Sequence, residues 1–171
     1  QLPLLEWGQK KNDSDNKKKI NAKISITYLS YSQIQTFDIC PLHYKLRYIL
    51  KIPTPQTSAQ SFGTSVHAVL RDFYQSWKNN IHINIKDLDN LFKINWVNEG
   101  YSSLLHEQNA LKKAKELVFK YLRENFNKAN LPLALELPFI FNLNGIKIGG
   151  RIDRIDKKAD KIEIIDYKTG V

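Results

Sequence analysis

The sequence has no methionine and only one cysteine, Cys40, among its 171 residues. A single cysteine excludes a disulfide within the chain, and it excludes a zinc or iron–sulfur site built from several cysteines of this chain. It also favours the reducing cytoplasm, where thiols stay free. Because the sequence starts at Gln1 and not at methionine, we expect a fragment or a processed piece of a longer protein.

Long apolar runs and negative charge are also scarce. The sequence has no run of about 18 apolar residues, so no membrane span is expected, and no basic lead-in marks a signal peptide. The 26 lysines and arginines outnumber the 17 aspartates and glutamates. The resulting net charge of +9 favours an anionic partner such as nucleic acid or an acidic membrane surface.

Part of this positive charge lies in a polar stretch near the N-terminus. Residues 10–23 are lysine-rich and show no hydrophobic period, which is typical of a disordered linker and favours that interpretation over a dedicated DNA-binding arm. We therefore predict a flexible linker over residues 1–23 and one folded domain over residues 24–171.

Helical patterns fill the first part of this domain. Apolar residues between positions 62 and 78 recur every three or four residues, which predicts an amphipathic helix capped by Ser61. Pro53 and Pro55 separate it from the preceding helix. The predicted helices begin after Ser30 or Ser32, at Pro41, after Ser61, near residue 87 and near residue 102.

The period changes after Pro132 from helical to alternating. Apolar residues then lie two apart up to residue 141, which predicts a strand, and Asn144-Gly145 is a strong hairpin turn signal. Two further strands are predicted over about residues 146–155 and 162–168. The fold class is therefore α+β, with helices first and then an antiparallel three-stranded meander.

The third predicted strand ends with an acidic and a basic residue. Asp166 and Lys168 lie two apart, so their side chains share a face, and a turn near residues 158–160 places Asp153 opposite or nearly opposite Asp166. Facing carboxylates repel unless one is protonated or a cation lies between them, and magnesium or manganese suits such oxygen ligands. Lys168 beside the metal would stabilise a phosphate or orient water; the alternative is an ordinary surface pair.

A histidine on the amphipathic helix extends this constellation. Gly63 and His67 lie four apart, so they share a helix face, and a helical glycine costs about 1 kcal/mol relative to alanine, which favours a packing reason for Gly63. If the helix lies against the sheet, His67 points at the two aspartates, where imidazole is an acceptable ligand for manganese. The alternative is a partly buried structural histidine.

Several motifs together resemble a known nuclease family. Their order and spacing over about residues 27–170 are similar to those of RecB/AddB/Cas4-type nucleases in the PD-(D/E)xK superfamily, and most similar to the nuclease domain at the C-terminus of bacterial UvrD/Rep-type helicases. The motifs are Ser30–Ile34, Cys40–Tyr44, Gly63–His67, Gly150–Asp156 and Ile165–Gly170.

The resemblance implies a restriction-endonuclease-like core that hydrolyses DNA phosphodiester bonds with Mg²⁺ or Mn²⁺, as an exonuclease linked to or associated with a helicase in DNA repair and recombination. DNA, and not a membrane, is then the anionic partner. It also implies roles for individual residues: metal binding by His67, Asp153, Asp166 and the backbone carbonyl of Tyr167, catalysis by Lys168 together with the two aspartates, an accessory role for Glu136, and DNA binding by Arg151 and Arg154.

The sequence departs from the family pattern at two places. The pattern continues past the lysine into a further helix, whereas this sequence ends at Val171, so we expect a domain that is incomplete at its C-terminus. Some relatives bind an iron–sulfur cluster through one early and three late cysteines. Only the early position, Cys40, is present here, which predicts a buried, inert thiol and no cluster.

Two other functions stay open at this point. One is a catalytically inactive, nuclease-like module that binds DNA for an attached helicase; the four polar residues His67, Asp153, Asp166 and Lys168 argue against it. The other is a protein-docking domain whose basic charge is incidental. Salt-sensitive DNA binding would count against that interpretation.

Overall fold

The computed structural model describes residues 26–84 and 87–170. The predicted linker over residues 1–23 lies outside these residues. The elements are β1 (Tyr28–Ser30), α1 (Tyr31–Ile39), α2 (Pro41–Tyr44), a π-helical turn (Lys45–Ile49), α3 (Ser58–Lys78), α4 (Leu88–Asn95), α5 (Leu104–Asn125), β2 (Ala134–Leu143), β3 (Ile146–Lys158) and β4 (Lys161–Ile165). This order of helices followed by a sheet confirms the predicted α+β class.

The first helices begin where capping chemistry predicts. Ser30 caps α1 in a reciprocal arrangement with Gln33, and Pro41 opens α2, where its missing N–H costs no helical hydrogen bond. Cys40 is half-buried and not fully buried as predicted, and its Sγ accepts a hydrogen bond from the His43 N–H at 3.4 Å. The thiol thus caps α2, and this position keeps it near the surface.

The prediction that Ser61 caps the third helix is wrong. α3 begins one turn earlier because Thr57 and Gln60 form a capping box, in which each side chain accepts a hydrogen bond from the other residue's backbone N–H. Ser61 lies inside the first turn, fully buried, and its hydroxyl donates to the Glu99 carbonyl at 2.8 Å. The hydroxyl therefore ties α3 to the loop after α4 instead of capping the helix.

The hydrophobic core lies between α3, α4 and α5. Its largest fully buried side chains include Phe73 and Tyr74 from α3, Phe92 from α4 and Leu122 from α5. Each such side chain contributes roughly 1.5–3 kcal/mol through burial. Tyr167, beyond β4, packs against the edge of this core, so the segment after the last strand is anchored to the helices.

β3 is the centre of the sheet. It pairs along one edge with β2, from Leu143 opposite Ile146 to Ala134 opposite Ile155. Asn144 and Gly145 both have positive φ, 51° and 85°, which is the geometry that a two-residue hairpin turn favours. β4 pairs antiparallel with the other edge of β3. The predicted meander of β2, β3 and β4 is therefore confirmed.

Two features of the sheet differ from the prediction. The short β1 pairs parallel with β3, from Tyr28 opposite Lys147 to Ser30 opposite Gly149, and was not predicted as a strand. β4 ends at Ile165 and not at Lys168, because the Tyr167 N–H that would continue the ladder donates instead to the Asp153 carboxylate. Among the described residues, no helix is long and apolar enough to cross a membrane.

Candidate metal centre

The N-terminal half of α3 packs closely against the residues that follow β4. A Cβ atom at Gly63 would lie 3.1 Å from Thr169 Oγ1, so the glycine allows this approach. One turn later, His67 Nε2 lies 2.9 Å from the backbone oxygen of Tyr167, and His67 Nδ1 lies 3.4 Å from Asp153 Oδ1. The structure therefore brings together three of the predicted ligand groups, whose role as ligands stays a prediction.

Three acidic residues lie at matching positions along β2, β3 and the continuation of β4. On β2, Leu135 lies opposite Arg154 and Leu137 opposite Ile152, so the intervening Glu136 lies level with Asp153. The β3–β4 register, continued one residue past Ile165, places Asp166 on the other side of Asp153. Carboxylates on neighbouring strands repel one another, so this row is unfavourable unless positive charge lies beside it. The predicted position of Asp166 relative to Asp153 thus agrees with the register, although the ladder itself stops just short of it.

Glu136 is the member of the row with an unusual backbone. Its φ of +49° lies in the left-handed region, which is uncommon for a residue with a side chain and costs on the order of 1–3 kcal/mol. Ligand atoms of Glu136, His67 and Asp153 all lie within 4.8 Å of one another. The sequence predicts only an accessory role for Glu136, because its face opposes the apolar stripe of the strand and its distance from the metal is not given by the sequence.

Asp166 is not a member of this group. Its Oδ2 lies 2.7 Å from Lys168 Nζ, and the two side chains are 58% and 76% exposed. The hydrogen bond and the charge of Asp166, followed by the charge of Asp153, raise the pKa of the Lys168 amine above its ordinary value. Lys168 therefore keeps its positive charge, which suits stabilisation of a phosphate better than proton abstraction.

The residues of the group fit a divalent cation. Imidazole nitrogen, carboxylate oxygens and a backbone carbonyl are ligands that magnesium and manganese accept. His67 Nε2 lies at hydrogen-bonding distance, 2.9 Å, from the Tyr167 oxygen, whereas Asp153 Oδ1 lies beside the other ring nitrogen, Nδ1. A neutral imidazole has only one N–H, so it can donate to only one of the two oxygen atoms that the nitrogens of His67 face.

The two arginines of β3 have different environments. Arg151 is exposed, and its Nη1 lies 3.5 Å from Glu136 Oε2 at the rim of the group. The prediction that Arg154 holds DNA is wrong, because Arg154 is only 4% exposed. Its Nε and Nη2 donate to the two carboxylate oxygens of Asp156 at 2.6 and 2.5 Å, and its guanidinium lies over the Tyr74 ring.

The sequence contains a signal that separates these arginines. Side chains alternate along a strand, so Arg151 and Asp153 share one side of β3, whereas Arg154 and Asp156 share the other. A side chain three positions from Arg151 points the opposite way, which already argued against treating both arginines as one DNA-binding pair. The sequence interpretation did not predict that Arg154 and Asp156 form a buried ion pair.

Comparison with known families agrees with this geometry. The model of the PD-(D/E)XK nuclease superfamily matches residues 28–171. The match extends from β1 to the segment after β4 and so contains every residue of the group. No curated protein matches the sequence.

Proposed function

The chain belongs to the PD-(D/E)XK nuclease superfamily, and we propose that it is a metal-dependent deoxyribonuclease of the RecB-like type, the nuclease module of a cytoplasmic helicase–nuclease. Membership of the superfamily implies a restriction-endonuclease-like fold, phosphodiester hydrolysis and the use of divalent metals. The observation that supports a metal-dependent enzyme here is the convergence of His67, Glu136 and Asp153 within 4.8 Å, beside the Tyr167 carbonyl.

The chemistry follows from the charges around this group. A divalent cation held there would polarise a phosphate and lower the pKa of a bound water. Asp153 and Glu136 supply the negative charge that holds the cation. Lys168, kept cationic by Asp166, stabilises the charge that develops on the phosphate. Arg151 at the rim holds the neighbouring phosphate backbone without reading its sequence.

The proposed substrate is DNA, cut from an end. The net charge of +9 supports a polyanionic substrate. The motifs shared with RecB-like nucleases support DNA as that substrate, exonucleolytic cutting and a helicase as the linked or associated partner.

The test is cleavage of end-labelled single- and double-stranded linear DNA with Mg²⁺ or Mn²⁺, by the wild-type chain and by Asp153→Asn. This substitution removes one negative charge from the group with almost no change in shape. We expect the rate to fall by at least about 100-fold. Asp160→Asn is the matched control, because Asp160 is an exposed turn residue of the same hairpin, and its rate should equal that of wild type.

Each result has a distinct meaning. Equal cutting by wild type and Asp153→Asn would reject the site and point to a contaminating nuclease. Salt-sensitive DNA binding without cutting by the wild-type chain would favour the inactive binding module. Cutting of internally placed bonds in circular DNA would reject an exonuclease while leaving the metal-dependent nuclease intact.

A further inference from the structure

A buried ion pair lies behind the metal-binding group. Arg154 and Asp156 have side chains that are 5% and 3% exposed, and the guanidinium contacts both oxygens of the carboxylate. A charged pair taken out of water costs more free energy than its attraction returns unless the geometry is excellent. Neither residue of the pair belongs to the group of ligands, although Arg154 follows Asp153 directly in the chain.

The guanidinium also connects β3 to the two long helices. It lies 4.1 Å from the centre of the Tyr74 ring of α3, and its Nη1 lies 3.5 Å from the Tyr121 hydroxyl of α5. The edge of the Tyr121 ring meets the Tyr167 ring, with 5.5 Å between ring centres. Tyr167 in turn packs edge-on against His67, with 5.7 Å between ring centres.

The backbone of Tyr167 contacts both His67 and Asp153 although no strand holds it. The β3–β4 ladder ends at Ile165. Beyond that point, the Tyr167 N–H donates to Asp153 Oδ2 at 2.7 Å, and its carbonyl lies against His67 Nε2. Burial raises the pKa of the Tyr167 hydroxyl, an effect that the nearby Arg154 guanidinium partly offsets. The ring is thus enclosed beside the buried cation.

We propose that the Arg154–Asp156 pair, acting through Tyr121 and the Tyr167 ring, is a positioning device that fixes the Tyr167 backbone at the metal. This inference rests on the proposed metal-dependent function. In this proposal one side of β3 carries the ligand Asp153. The other side carries the Arg154–Asp156 pair, which supports the Tyr167 carbonyl as a second ligand. Outer contacts of this kind commonly change metal affinity by about 10–100-fold.

The test replaces the whole pair with apolar residues, Arg154→Met together with Asp156→Leu. Such replacement of a buried ion pair is often neutral for folding, and thermal unfolding of the metal-free protein checks this. We expect the Mn²⁺ dissociation constant, measured by electron paramagnetic resonance of the free ion, to rise about tenfold. Hydrogen exchange of the Tyr167 amide, followed by NMR without metal, should become at least about tenfold faster because its contact with Asp153 loosens.

An exposed ion pair between α4 and α5 provides the control. Lys115 Nζ lies 2.6 Å from Asp89 Oδ1, with side chains 40% and 65% exposed. Lys115→Met with Asp89→Leu should leave Mn²⁺ affinity and Tyr167 exchange unchanged. Unchanged values in the Arg154/Asp156 variant, or equal changes in the control, would overturn the positioning role.

Two further measurements keep the outcome clear. If the Arg154/Asp156 variant does not fold, Tyr167→Leu keeps a buried apolar side chain but removes the ring contacts, and it should weaken Mn²⁺ binding about tenfold as well. If the wild-type chain binds no Mn²⁺, the proposed function fails, but the amide exchange at position 167 still decides whether the ion pair holds that backbone.

Discussion

The β3–β4 hairpin and the segment that follows it carry two acid–base pairs with the same spacing and opposite surroundings. Arg154 and Asp156 lie two apart, with side chains 5% and 3% exposed. Asp166 and Lys168 also lie two apart, with side chains 58% and 76% exposed. The buried pair is locked by two short hydrogen bonds and by aromatic rings, whereas the exposed pair can exchange its partners with water, a metal ion or a phosphate. Identical sequence spacing therefore occurs in a buried pair and in an exposed pair, and only the exposed pair can reach a substrate directly.

The largest expected effect comes from breaking only half of the buried pair. Arg154→Met leaves the Asp156 carboxylate buried without its partner, which should lower the free energy of unfolding by about 3–5 kcal/mol. Denaturant-induced unfolding followed by circular dichroism measures this loss. Adding Asp156→Leu should restore most of it, because the uncompensated charge is then gone.

Arg151→Met is the matched control for this prediction. Arg151 lies on the same strand, but its side chain is 63% exposed, so the same substitution should change stability by no more than about 0.5 kcal/mol. A similar loss of stability in both variants would mean that burial does not distinguish the two arginines.

The exposed pair should respond in the opposite way, with a loss of activity and little loss of stability. Lys168→Met removes the cation that would stabilise the phosphate, which we expect to slow DNA cleavage by about 100- to 1000-fold. The free energy of unfolding should change by less than about 1 kcal/mol, because an exposed ion pair contributes little. Single-turnover cleavage and urea unfolding of the same preparation measure both quantities.

Lys161→Met is the control for this substitution, since Lys161 is an exposed lysine of β4 that lies outside the group. Its cleavage rate should match that of wild type. If Lys168→Met cut DNA at the wild-type rate, Asp166 and Lys168 would form only a surface ion pair. The proposed catalytic role of Lys168 would then be rejected.

Local patterns in the sequence account for the parts of this fold that depend on neighbouring residues. The amphipathic period predicted α3, the change of period after Pro132 predicted the sheet, and Asn144-Gly145 predicted the turn that sets the β2–β3 register. The helical spacing of Gly63 and His67, together with the motif resemblance, placed His67 and Asp153 in one predicted site. These features need only side-chain spacing and turn chemistry, both of which are present in any short window of sequence.

Features that depend on distant contacts were not predictable in this way. β1 has three residues and pairs with a strand more than a hundred positions away, so no local pattern marks it. The positive φ of Glu136 has no marker among the neighbouring residues of the sequence. The burial of Arg154 depends on rings that α3 and α5 supply, and it becomes visible only when the helices and the sheet are assembled.

The smallest expected effect concerns the contact that brings α3 to the exposed pair. Gly63→Ala adds a Cβ atom 3.1 Å from Thr169 Oγ1, while alanine improves helix propensity by about 1 kcal/mol. We expect the free energy of unfolding to change by less than about 1 kcal/mol in either direction, with Mn²⁺ affinity reduced severalfold because the segment around Lys168 shifts. Combining it with Thr169→Ala removes the crowded oxygen and should restore Mn²⁺ affinity. A loss of Mn²⁺ affinity that persists in this double variant would mean that Gly63 acts through a contact other than the one with Thr169. The close approach of α3 to Thr169 would then not be what places the site.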